Sequence, residues 1–302
     1  MTAHSAHTIA GATPSFWREK AGEFLADWLA VGGLALLLII VLAALAAPLI
    51  APQNPYDLAQ LDVLDARLPP GSAAGDGKTF LLGSDEQGRD LLSAILYGLR
   101  ISLGVGALST LIALGLGGVV GLWSAYRGGR WDAVIMRVVD LQLSFPAILI
   151  ALVLLAALGQ GIGKIIAALV TVQWAYYART VRGTALAEKG KDYIAAAQGL
   201  ALPTHRVLLG HLLPNCLPPL IVVASVQVAH AIALEATLSF LGLGLPITEP
   251  SLGLLIANGY QYLLSGKYWV SFFPGVALLL TIVSINLVAD RLRDVLNPRL
   301  AR

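Results

Sequence analysis

The amino-acid sequence predicts an all-α integral membrane protein with six transmembrane helices and both termini inside. Three observations predict it. Of 302 residues, 57% are hydrophobic and only 13% charged, with a mean hydropathy of +0.76, whereas soluble globular domains carry about 25% charged residues. Six apolar runs occupy residues 28–50, 101–126, 133–158, 162–182, 212–241 and 268–290. At about 1.5 Å per residue each is long enough for a hydrocarbon core of about 30 Å. The third observation is the distribution of lysine and arginine. Arg18, Lys20, Arg127, Arg130, Arg137, Arg179, Arg182, Lys189, Lys191, Arg206, Arg291, Arg293, Arg299 and Arg302 fall on one side. The other side holds Arg67, Lys78, Arg89, Arg100, Lys164 and Lys267. Basic residues collect in the cytoplasm, so the fuller set marks the inside.

Residues 1–27 read as a polar cytoplasmic tail of mixed charge, in which His4 and His7 are solvated rather than metal ligands. The run at 28–50 is longer than the apolar core of a signal peptide, and acidic residues precede it, which argues against cleavage after Ala44-Leu45-Ala46. Residues 51–97 form a polar outer segment rich in proline, with seven acids (Asp57, Asp62, Asp65, Asp76, Asp85, Glu86, Asp90) against Arg67, Lys78 and Arg89. Gly71 to Lys78 reads as a turn. The glycines of Leu82-Gly83-Ser84-Asp85-Glu86-Gln87-Gly88-Arg89-Asp90 lack the Gly-Lys-Ser/Thr ending of a phosphate loop. In the second run, Gly104, Gly106, Gly115, Gly117, Gly118 and Gly121 predict close packing inside a helix bundle.

Between the fourth and fifth runs, Lys189 to Asn215 reads as two short helices. Asp192 stands where an N-cap belongs, and an alanine-rich stretch runs from Ile194 to Leu200. Leu202-Pro203 breaks it. Thr204 then caps a second helix, His205 to Leu213, ending before Pro214. Tyr193, Ala196, Ala197 and Leu200 recur at i, i+3, i+4 and i+7, one stripe offered to a partner. Tyr193 is its expected anchor, and Ala195 lies off the stripe.

Polar residues inside or near the runs are Gln173, Gln227, His230, Glu235, Asn286 and Asp290. An ionisable group is costly there and suggests function. Glu235 either lines the exit of a pathway, with His230 and Gln227 beside it, or serves as a structural acceptor for backbone or for Ser239. Asp290 with Arg291 and Arg293 reads as an interfacial cluster. His205 and His211 are six apart, off the spacing of helical metal pairs, and the single Cys216 excludes an internal disulfide and a cysteine-rich metal site. No nucleophile–base–acid constellation and no nucleotide loop is visible, so the expectation is a non-catalytic chain without metal.

Several blocks resemble one family. Asp192-Tyr193-Ile194-Ala195-Ala196-Ala197 with Leu212-Leu213-Pro214-Asn215 is similar to the cytoplasmic "EAA" loop of ABC-importer permeases. Two departures stand out: Ala195 replaces the motif glutamate and Ala201 the motif glycine, with Gly199 two residues earlier. Leu82 to Ser93 with Leu96-Tyr97-Gly98-Leu99-Arg100-Ile101-Ser102-Leu103 resembles the signature of the dipeptide/oligopeptide/nickel class. So do Trp131 to Asp140 with Phe145-Pro146, Tyr177 to Gly183, Glu235 to Gly244, and Phe273-Pro274-Gly275 with Asn286 to Arg299.

The resemblance implies a type I ABC-importer permease fold in an inner membrane. It implies a periplasmic segment at 51–97, a core permease domain at 98–290 with a coupling loop at 183–211, and a cytoplasmic tail at 291–302. The coupling residues it implies are Asp192, Tyr193, Ile194, Ala195, Ala196, Ala197, Gly199, Leu200, Leu213 and Pro214. The partners it implies are a second, homologous permease in a heterodimer, two cytoplasmic ATPases that bind ATP and magnesium, a periplasmic substrate-binding protein and membrane lipid, with no nucleic acid. The cargo would be a di- or oligopeptide or a related small solute. An ion-driven secondary transporter or channel is the alternative, disfavoured because neither mid-membrane charge nor inverted repeats are evident in the sequence.

Overall fold

The computed structural model describes residues 16–57, 61–75 and 77–296. His4, His7, Asp76 and the stretch from Asn297 to Arg302 lie outside the described residues. Within the tail, helix α1 spans Phe16–Leu25. Helix α2, Trp28–Leu45, follows, and the Asp27 carboxylate accepts from the amides of Leu29 and Ala30 at 2.9 and 3.3 Å. The first run is not one helix, because a short α3, Ala47–Ile50, restarts after Ala46 with Pro48 in its first turn.

Residues 51–90 contain a 3₁₀ turn at Val63–Asp65 and a small hairpin, β1 (Ser72–Ala73) against β2 (Thr79–Phe80). The glycine-rich stretch that follows is a compact buried turn. Arg89 Nε donates to Asp85 at 2.6 Å with both side chains almost fully enclosed, and Asp85 also accepts from the amides of Gln87 and Arg89. Asp90 then caps α4, Leu91–Arg127, accepting from Ser93 N at 2.8 Å. The helix starts ten residues before the apolar run because this cap, not hydrophobicity, sets its beginning.

The remaining helices are α5 (Gly129–Leu143), α6 (Ala147–Leu158), α7 (Ile162–Lys189), α8 (Asp192–Gly199), α9 (Thr204–Val207), α10 (Leu213–Phe240), α11 (Leu252–Tyr260) and α12 (Trp269–Leu296). Among the described residues, four stretches are long and apolar enough to cross a membrane: α2, α4, the continuous Thr204–Phe240 and α12. Helices α5 and α6 bend by 89° at Ser144–Pro146 and bring the number to five if they form one span. The expected span at 133–158 is two helices that meet at this bend. Pro146 disfavours the helical region for Phe145 and so places the break. Helix α7 is not among these candidates. It carries Lys164, Arg179, Arg182, Glu188 and Lys189, and it hides an apolar face instead: Ile165, Ala168, Leu169, Val172, Ala175, Ala178, Val181 and Ala185 are buried.

The partner of that face is chiefly α4. A Cβ on Gly117 would stand 2.2 Å from the Trp174 carbonyl oxygen, and one on Gly121 would stand 2.3 Å from that of Ala178. Gly106 likewise faces Ile232 of α10, whereas Gly104, Gly115 and Gly118 open onto free space. Half of the glycine set packs the bundle, and half leaves a surface open.

The Lys189–Asn215 segment departs from its expected form in three ways. Lys191, not Asp192, is the N-cap of α8, and Asp192 is its first helical residue. Thr204 opens α9 without making a side-chain cap. The second short helix does not stop before Pro214. A π turn at Leu208–Leu212 joins it to α10, with Leu213 N bonded to Leu208 O. Proline has no N–H to give and its ring crowds the carbonyl four residues back, which widens the turn there.

The end of α8 explains one departure from the family pattern. Leu202 N donates to Ala197 O and Ala201 N to Gln198 O, the two bonds of a Schellman ending. That geometry places Ala201 at φ +52°, the left-handed region that glycine enters without penalty.

Ala201→Gly should therefore stabilise the protein by about 1 kcal/mol, read as a higher thermal midpoint in detergent. Gly121→Leu should do the opposite, forcing α4 from α7 at a cost of at least about 1–3 kcal/mol. A midpoint unchanged by Gly121→Leu would mean that the seam is not closely packed.

Candidate coupling segment and buried polar residues

Helix α8 has two faces. Ile194 and Ala197 are buried, at 1% and 5% exposure, and join a cluster with Tyr177, Val181, Ala185, Val207, Leu212, Cys216 and Leu220. Tyr193, Ala195, Ala196, Gly199 and Leu200 are exposed, Leu200 at 75%. Ala197 thus belongs to the inward face, and the outward stripe is Tyr193, Ala196 and Leu200. Ala195 sits on the outward side, so a glutamate there would reach solvent. Leu213 and Pro214 lie at the start of α10, Pro214 exposed.

Tyr193 does more than present a ring. Its hydroxyl donates to Glu188 of α7 at 2.7 Å and accepts from Asn215 of α10 at 3.1 Å. Asn215 also donates to His211 O at 2.7 Å. Burial, and then the Glu188 carboxylate, push the Tyr193 phenol up to about 12. Burial pushes the Glu188 carboxyl up, but hydrogen bonds from Lys191 and Tyr193 outweigh it and hold the group below its ordinary value. One residue on, Lys189 Nζ donates to the last carbonyls of α4, Ala125 at 3.2 Å and Tyr126 at 2.8 Å, where a cation meets the negative end of the helix dipole. The segment is tied to α4, α7 and α10 at once.

Glu235 is wholly enclosed. It accepts from Ser102 of α4 at 2.7 Å and from Ser239 of α10 at 2.8 Å. This is a joint between α4 and α10, and within this chain it reaches no open surface. Gln227 is buried, and His230 is exposed on α10. Gln173 of α7 accepts from Thr110 of α4 at 3.2 Å. The structure does not bring Glu235 and His230 onto one open face.

Two ion pairs between α5 and α7 went unforeseen. Arg179 of α7 pairs with Asp140 of α5, and Arg182 with Asp132 at 2.5 Å. Both acids lie in the Trp131–Asp140 block and both arginines in the Tyr177–Gly183 block. Opposite charges in two blocks of one side were the available signal, but nothing in one sequence pairs them.

Comparison with known proteins places this geometry. A family model described as binding-protein-dependent transport system inner membrane component matches residues 117–302. A second, the N-terminal TM domain of oligopeptide transport permease C, matches residues 15–70. The chain is 37% identical over 287 residues to a di/tripeptide transport system permease protein of Pseudomonas aeruginosa, covering 95% of this chain and 93% of that one. It is 34% identical over 300 residues to an oligopeptide transport system permease protein of Bacillus subtilis, covering 99% and 95%. A putative peptide transport system permease protein of Brucella suis is 41% identical over 272 residues, covering 89% and 87%. Among solved structures, an inward-facing methionine ABC transporter shares the fold with a TM-score of 0.55 at 20% identity, covering 68% of this chain and 96% of that one. The chain belongs to the binding-protein-dependent transport system inner membrane components, the multi-pass permease subunits of ABC importers.

Proposed function

We propose that this chain is one permease subunit of an importer that moves di- or oligopeptides or a related small solute into the cytoplasm. The observation that carries the coupling role is α8: an exposed face of Tyr193, Ala196 and Leu200 on a helix bonded to α7 and α10, with Lys189 at the end of α7 bonded in turn to α4. A partner that displaces it displaces the bundle. Its partners are a second, related permease, two ATPases that hold ATP and magnesium, and a periplasmic binding protein. The peptide cargo is supported by the names of the relatives. The fold crosses the membrane six times, counting α5–α6 as one span and α7 as another, with both ends inside, and the lysine and arginine asymmetry supports that orientation. In this reading the ATPases close on ATP, α8 follows them, and the bundle opens outward.

In reconstituted vesicles with the complete transporter, Ala196→Arg should abolish the ATPase stimulation produced by loaded binding protein while the complex still assembles. A charge pressed unpaired into a close interface costs several kcal/mol. Ala195→Glu, at an exposed position, should preserve or raise stimulation. Full stimulation in Ala196→Arg would exclude this face as the docking surface. The orientation is tested by reporter fusions. One after Arg302 and one within the turn at residues 71–78 should report opposite compartments, and a periplasm-only reporter active after Arg302 would reverse the assignment.

A further inference from the structure

We propose that the break between α5 and α6, with a polar track along α5 and α7, lines the water-filled translocation pathway. The proposal rests on the permease reading above and names part of its conduit.

The depth of the break comes first. Gln142, at the end of α5, donates to the carbonyls of Thr171 and Val172 and accepts from Trp174 Nε1 at 2.8 Å. The break is therefore level with Thr171. That residue lies nine positions from Ile162 and eighteen from Lys189, the ends of α7, or about 14 Å and 27 Å along the helix. Both distances place Ser144–Pro146 within the hydrocarbon layer.

The break is also open. Ser144, Phe145 and Pro146 are exposed, Phe145 at 62%. Ala147 and Ile148 open α6, so their amides have no acceptor within that helix. Lipid offers such groups nothing to bond with, so exposed irregular backbone at this depth must face water or another protein chain.

The charges around it favour water. Arg137, Asp140 and Ser144 follow one another at i, i+3 and i+7 along α5, all exposed. Asp140 pairs with Arg179 across the seam to α7, and more than half of each side chain is open, 56% and 52%. Arg179 lies about 15 Å from the Lys189 end, and ionisable groups inside a span face a cavity rather than lipid. The apolar residues of α5, Trp131, Val134, Val138 and Leu141, project from a different side, about a third of a turn away. One helix thus shows a greasy face and a wet one, and the break lies at the wet end.

The test uses the sequence's single cysteine. In a Cys216→Ala background, Ser144→Cys and Thr171→Cys are introduced singly, with Val138→Cys as the apolar-face control and Phe145→Cys in reserve if Ser144→Cys does not assemble. The whole transporter is reconstituted with its ATPases outward and exposed to a charged, impermeant methanethiosulfonate. Without nucleotide, the break and track variants should react about tenfold or more faster than Val138→Cys, since only water admits the reagent. Trapping with ATP and vanadate should slow them. Reaction no faster than the control in both states, while loaded binding protein still stimulates ATPase activity, would overturn the lining and leave the permease reading intact. A complex without Cys substitutions that binding protein never stimulates would overturn the reading itself.

Discussion

A helix with five charged residues along its length cannot be placed against lipid on every side, and the arrangement of this bundle follows from where α7 is put. Its apolar face is taken by α4, and that contact exists because Gly117 and Gly121 let the α7 backbone approach to the carbonyls of Trp174 and Ala178. Between membrane helices, without a hydrophobic drive toward one another, such close approach supplies the dispersion contacts that hold a pair. With α4 and α7 joined, Thr110 meets Gln173, Lys189 reaches the end of α4, and the polar side of α7 turns toward α5. The ion pairs of α5 are a consequence of that seam.

The sequence showed the class of fold because apolar length is a property of a segment by itself. The runs at 28–50, 101–126, 212–241 and 268–290 each became a long helix or a pair of helices in the expected place. What it did not show are features set by two segments together. Nothing local says that α5 and α6 meet at 89°, although Phe145-Pro146 marks where a helix must yield. The π turn before Pro214 was misread as a stop, because proline ends a helix in water more readily than where a buried neighbour such as Leu212 holds the chain on course. The stripe on α8 was read one residue too wide: Ala197 satisfies the helical spacing equally well inward, and only the cluster around Ile194 decides its side.

The two departures from the loop motif have different physical meanings. Ala201 occupies a left-handed position where a Cβ is strained, so the glycine of the loop motif answers a demand of the backbone. Ala195 lies exposed on the outward side of α8 and makes no demand on the fold. The residue that would stand there matters only to whatever docks. One substitution is therefore a cost within the chain, and the other belongs to an interface that the chain alone does not contain.

Transmission of a push depends on how many elements a handle is fixed to and by what. Burial of Ile194 and Ala197 alone would let α8 slide, since apolar contacts resist separation better than shear. The directed bonds prevent this: Tyr193 to Glu188 and Asn215, and Lys189 to the carbonyls of Ala125 and Tyr126. Tyr193 joins α8 to α7 and α10, and Lys189 joins the end of α7 to α4. A displacement of α8 is then shared by α4, α7 and α10, and α7 is the helix that carries Arg179 and borders the exposed break. The same seam that hides the apolar face of α7 thus links α8 to the paired charges of α5 and α7.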